Sequence, residues 1–154
     1  MNANVMRAIR GALAGWAGMT GLVFVGQRTG QTRMDIMEIE GALFAEPSSP
    51  EARTIGFVTH LGMSLGIGLG YALGFKALGW RPGWKTGAVG GLIHWALATL
   101  VTGAASEQHP KRDALAMPGF GGTALGPKSA VGFLVGHLAY GALFGWQYGR
   151  GRGG

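Results

Sequence analysis

Residues 55–78 read IGFVTHLGMSLGIGLGYALGFKAL, a run without Asp or Glu in which Gly62, Gly66, Gly70 and Gly74 recur at a spacing of four. A hydrocarbon core about 30 Å thick takes about 20 helical residues to cross, so the run is long enough to span a bilayer. Three further apolar windows of helix length follow the same rule, at 9–25, 86–105 and 130–148. All seven acidic residues of the chain fall outside the four windows. The expected fold is therefore all-α, a bundle of four transmembrane helices in one integral membrane domain covering residues 1–154.

Composition agrees with that reading. Charged residues are 13% of the 154 positions, where soluble domains carry about 25%. Glycine contributes 31 positions and cysteine none. The lack of cysteine excludes disulfides, thiolate metal sites and a cysteine nucleophile, and leaves the compartment open. Arg7 and Arg10 ahead of the first window are compatible with a signal peptide. The stretch Val25-Gly26-Gln27-Arg28 offers no small-x-small cleavage site, so the window is read as a retained helix.

Orientation is read from the cations. With the amino terminus inside, Arg7, Arg10, Lys76, Arg81, Lys85, Arg150 and Arg152 lie on the cytoplasmic side. Arg28, Arg33, Arg53, Lys111, Arg112 and Lys128 then lie outside, in longer segments that also hold every acid. Trp80, Trp84, Trp146 and Tyr148 would form an inner aromatic belt. The expected location is a bacterial cytoplasmic membrane, with both termini cytoplasmic. On this reading the net charge of +6 and the pI near 10.3 reflect topology and carry no nucleic-acid signal.

Lipid tails are as apolar as leucine, so helices in a bilayer associate through the close approach that small residues permit. Each window has its candidates: Gly11 and Gly15 in the first, the four-spaced stripe Gly62, Gly66, Gly70 and Gly74 in the second, Gly87, Gly90 and Gly91 in the third, and Gly141, Gly145 and Gly149 in the fourth. A glycine zipper along these stripes is the expected mode of packing. The segments 56–62, GFVTHLG, and 132–139, GFLVGHLA, match after one insertion. That echo points to two tandem helical hairpins, with His60 and His137 at equivalent depths.

Two connections carry features of their own. Thr32 to Ala45 has an imperfect apolar face, with Met34, Ile36, Met37, Ile39, Leu43 and Phe44, opposed by Asp35 and Glu38. It is expected as a short helix at the outer interface with solvated carboxylates, although Glu40 falls near the apolar side. The run Met117-Pro118-Gly119-Phe120-Gly121-Gly122 lacks the Walker spacing and a preceding strand, so it does not read as a phosphate cradle.

Ionisable side chains inside a membrane are costly and are functional candidates by default. Here they are His60, His94 and His137, each sharing a helical stripe with small residues and so able to face protein. Three readings stand side by side. Neutral imidazoles can bridge helices by hydrogen bonds. His60 and His137 can ligate one haem iron from opposite sides. The outer histidines His60 and His137 can join Asp35, Glu38, Glu40 or His109 in a divalent-metal or proton site, with ligand chemistry that suits zinc, iron or copper. Hydrolysis is poorly supported, because Ser64 and Ser129 lack a nucleophile-elbow context. A small-solute permease has only Thr59, Ser64, Thr99 and Thr102 to line a path.

In the last window, Gly126-Pro127-Lys128-Ser129-Ala130 followed by Gly136-His137-Leu138-Ala139-Tyr140-Gly141 resembles the small four-helix bacterial inner-membrane proteins of the YagU-like kind. The resemblance covers about the final quarter of the chain, and it implies fold and location without an activity. The function expected from these readings together is that of a non-enzymatic accessory or assembly subunit of a larger membrane complex, whose partners are the bilayer and other transmembrane helices, as a hetero-complex or a homo-oligomer.

Overall fold

The computed structural model describes residues 3–150; Arg152, counted above among the inner cations, lies outside them. Every regular element among the described residues is helical. Four helices have the length and hydropathy of membrane spans: α1 (Ala3–Arg28), α3 (Pro50–Ala77), α4 (Trp84–Gln108) and α5 (Pro127–Gly149). A one-and-a-half-turn helix, α2 (Ile36–Gly41), lies between α1 and α3. Two short 3₁₀ segments, Arg112–Ala114 and Phe120–Leu125, occupy the connection from α4 to α5.

Two spans, α3 and α5, begin ahead of their windows because local chemistry that hydropathy does not register sets their first turns. Ser49 accepts the Ala52 N–H at 3.0 Å and Pro50 takes the first helical position, so α3 begins before its first apolar run. Pro127 opens α5 in the same way after Gly126, whose φ of 95° turns the chain into the helix.

α5 is the hub. Its span window is 39% buried, against 17–22% for the other three. α1 packs along it on one side and α4 on another, while α3 leans on α1. The interior is closed by rings: Tyr140, Phe144 and Tyr148 stack along α5 at a spacing of four, and Tyr71 and Phe75 reach them from α3. Ala8 and Ala12 of α1 are fully buried against this ladder. Tyr148, expected in the inner belt, is only 5% exposed and belongs to the core. Trp84 and Trp146 are exposed and pair with Lys85 and Arg150 as cation–π contacts.

The glycine stripes divide into two groups. On α4 and α5, the carbonyl oxygens of Gly141, Gly87 and Gly83 occupy the places where Cβ atoms of Gly87, Gly141 and Gly145 would stand, so these helices meet backbone to backbone. Gly11 and Gly15 of α1 admit Phe144 and Tyr140 in the same manner. The stripe on α3 is different. Beyond its own turn of helix, a Cβ at Gly62, Gly66, Gly70 or Gly74 would meet no atom of the described residues within 4 Å. The buried face of α3 is instead Ala52, Gly56, His60, Ser64 and Gly68, displaced from the glycine stripe by two residues and hence by about 200° around the helix. The expectation that Gly62, Gly66, Gly70 and Gly74 pack the bundle is thus corrected. His60 and Ser64 are polar and take the interior, which turns the opposite stripe outward.

α2 also departs from expectation. Rather than floating with its carboxylates solvated, it docks on α3, where a Cβ at Gly41 would collide with the Ala52 carbonyl and one at Gly56 with that of Met37. Ile39, Glu40 and Gly41 are buried as a result.

Candidate functional site: a buried polar column

Docking α2 places a carboxylate against a membrane helix. Glu40, 9% exposed, stands beside His60, 6% exposed, and the His60 Nδ1–H donates to Glu40 Oε1 at 3.1 Å. The second oxygen, Oε2, is buried and has no hydrogen-bond partner among the described residues. One turn along α3 from His60, the Ser64 carbonyl accepts the Tyr140 hydroxyl at 2.6 Å. Next to Tyr140 on α5, His137 packs edge-on against His94 of α4, with ring centroids 4.6 Å apart. The Tyr71 hydroxyl lies 3.4 Å from His94 Nδ1. Glu40, His60, Tyr140, His137, His94 and Tyr71 thus form a column of polar groups inside the bundle, supplied by α2, α3, α4 and α5.

Two further imidazoles have defined hydrogen-bond roles. His137 donates from Nδ1 to the Phe133 carbonyl one turn earlier, at 2.7 Å. His109 receives the Lys111 N–H on Nδ1 at 3.1 Å, which places its proton on Nε2, and that Nε2–H donates to the Ile39 carbonyl at 3.0 Å. His109 therefore ties the α4–α5 connection to α2. Lys111 completes the tie through the Ala45 carbonyl and Glu46.

The proposed metal set His60, His137, Glu40, Glu38 and Asp35 is brought together only in part. Glu40 and His60 meet. Asp35 instead caps α2 by accepting the Glu38 N–H at 3.1 Å, and Glu38 Oε1 accepts both the N–H and the hydroxyl of Ser48. Among the described residues no three His, Asp or Glu side chains are grouped so as to hold one ion. Of the haem pair, His137 lines a groove between α1 and α5, and His60 lines a smaller cavity beside α1 and α2.

Of the hydroxyls considered for a polar pathway, Thr102 donates to the Thr99 carbonyl at 3.1 Å, whereas Thr99 Oγ1 is buried without a hydrogen-bond partner among the described residues. Thr102 Oγ1 accepts the Gly121 N–H and Ser106 Oγ accepts the Gly119 N–H, anchoring the glycine-rich loop to α4. In that loop Gly121 and Gly122 adopt φ of 58° and 86° and tuck against Thr99 and the Ser129 carbonyl, positions that side chains would obstruct. Ser129 accepts a hydrogen bond from Thr32 and donates to the Leu125 carbonyl.

Sequence reading singled out the three histidines and their inward direction. It missed the adjacency of His94 and His137, and the ring of Tyr71. The available signal was register: His94, Gly87 and Gly91 lie within two turns of α4, and the glycines that face α5 carry His94 toward that helix. No protein-family model matches this chain, nor does any curated protein or solved structure.

Proposed function

We propose that the protein is a non-enzymatic subunit of a bacterial cytoplasmic membrane, of the accessory or assembly kind, that docks through α3 onto transmembrane helices of other chains or of further copies. The observation that carries this reading is the outward stripe Gly62, Gly66, Gly70 and Gly74, against which no other element among the described residues packs. A glycine-lined face gives lipid little to pack on and lets a second helix approach closely. The polar column supports the same reading, since its groups are largely spent on one another and on helix backbones, as expected of a scaffold.

The test is the mass of the particle extracted in mild detergent. Wild-type protein is expected to run with additional chains, and a Gly66→Leu, Gly70→Leu variant to run as a helical monomer. A wild-type particle that is a stable lone chain overturns the proposal, as does an assembly indifferent to the two leucines.

A second reading has one favourable observation. His60 and His137 both engage Nδ1 with an acceptor, the pattern that orients an imidazole for ligation through Nε2. A haem or divalent-metal protein would then show a Soret band or one metal equivalent after purification, and absence of both rejects it.

A further inference from the structure

Beside the polar column, the connector halves of α1 and α5 diverge and leave a groove of about 510 Å³, within the range of about 300–1,000 Å³ typical of small-ligand sites. Its walls are apolar: Leu22 and Val25 from α1, Val131 and Val135 from α5, all exposed along the groove. At its upper end it shares Gln31, Thr32, Pro127, Lys128 and Ser129 with a second cavity of about 280 Å³, which adds Arg33. Lys128 and Arg33 are exposed, and the ion pairs among the described residues use neither of them. α1, at 26 residues, is about 39 Å long, more than the hydrocarbon thickness of about 30 Å. Arg33, past the end of α1, and Lys128, in the first turn of α5, therefore sit at headgroup depth.

We propose that this compound cavity binds one anionic phospholipid, with an acyl chain lying in the α1–α5 groove and the headgroup phosphate between Lys128 and Arg33. The order of chemistry along the cavity is apolar wall, then hydroxyls and an amide, then two unpaired cations. That is the order of groups along such a lipid. The first turn of α5 adds the partial positive charge of its amides to the same end. The site uses α1 and α5 and none of the α3 stripe, so it stands or falls separately from the docking reading.

Native mass spectrometry of the full chain in mild detergent, titrated with phosphatidylglycerol and with phosphatidylcholine of matched acyl chains, tests the assignment. One phosphatidylglycerol per chain is expected to be retained in preference to phosphatidylcholine. Each cation near an anionic lipid surface contributes about five-fold in affinity, so Arg33→Ala with Lys128→Ala is expected to weaken phosphatidylglycerol at least about ten-fold and to leave phosphatidylcholine unchanged. Gly132→Leu fills the groove at a position where a Cβ meets no other atom, and is expected to reduce retention of both lipids without loss of helicity. Equal retention of the two lipids by the wild-type chain, retention of none, or equal binding of glycerol phosphate without acyl chains overturns the proposal.

Discussion

Glu40 and His60 meet as a buried hydrogen-bonded pair between α2 and α3. A buried carboxylate and a buried imidazole each lack water as an alternative partner, so removing one strands the other. An orphaned buried donor costs about 1–3 kcal/mol. Glu40→Ala is therefore expected to lower thermal stability in detergent by that amount through the stranded His60 Nδ1–H. Glu40→Gln retains an acceptor oxygen and is expected to cost less, whereas His60→Ala strands the carboxylate and is expected to cost most. The double variant should fall below the sum of the two singles, because it leaves nothing stranded. A Glu40→Ala protein that melts with the wild type would remove the pair from any role in holding α2 to α3.

At the level of the helices, the contrast between the two kinds of glycine gives a direct comparison. Gly141→Ala places a methyl where the Gly87 carbonyl oxygen sits, and overpacking of this sort costs about 1–3 kcal/mol. Gly66→Ala meets open space and recovers the roughly 0.5–1 kcal/mol that glycine costs in a helix interior. Melting curves of the two variants, recorded in detergent that disperses any assembly to single chains, should therefore shift in opposite directions, and a loss of stability in Gly66→Ala under those conditions would place α3 in a different rotation. That rotation is what the sequence did not disclose. The four spans were legible because hydropathy alone defines them, and the stripes of α1, α4 and α5 because glycines there coincide with the buried face. α3 carries small residues on two opposite faces, and a helix surrounded by lipid is apolar on every side, so periodicity cannot choose between them. Only His60 and Ser64 mark the interior. Glu40 gave a comparable hint by falling on the apolar side of its segment, but the docking of α2 depends on Gly41 meeting Ala52 and Gly56 meeting Met37 across the connection, contacts that no local pattern encodes. Of the candidate site, the histidines were legible one by one. Their pairing was not, because it follows from how α4 is set against α5.

For the whole molecule, the connections gather at two ends. One holds α2, the glycine-rich loop and the start of α5; the other holds the α3–α4 turn and the described ends of α1 and α5. The turn end is cationic, with Arg7, Lys76, Arg81, Lys85 and Arg150, and every acidic residue lies toward the opposite end. Lys and Arg in short connections are retained in the cytoplasm, while acids contribute little to the choice, so the turn end is expected inside. The natural absence of cysteine makes this measurable without background. Thr123→Cys, in the exposed loop, is expected to react with a membrane-impermeant maleimide in intact cells. Arg81→Cys, in the turn, is expected to react only after the membrane is opened. The reverse pattern would invert the chain, and with it the leaflet in which Lys128 and Arg33 meet their lipid, while leaving the packing of α5 against α1 and α4 untouched. Labelling of both sites from one side would be incompatible with four crossings, since an odd number of spans separates the α3–α4 turn from the α4–α5 connection.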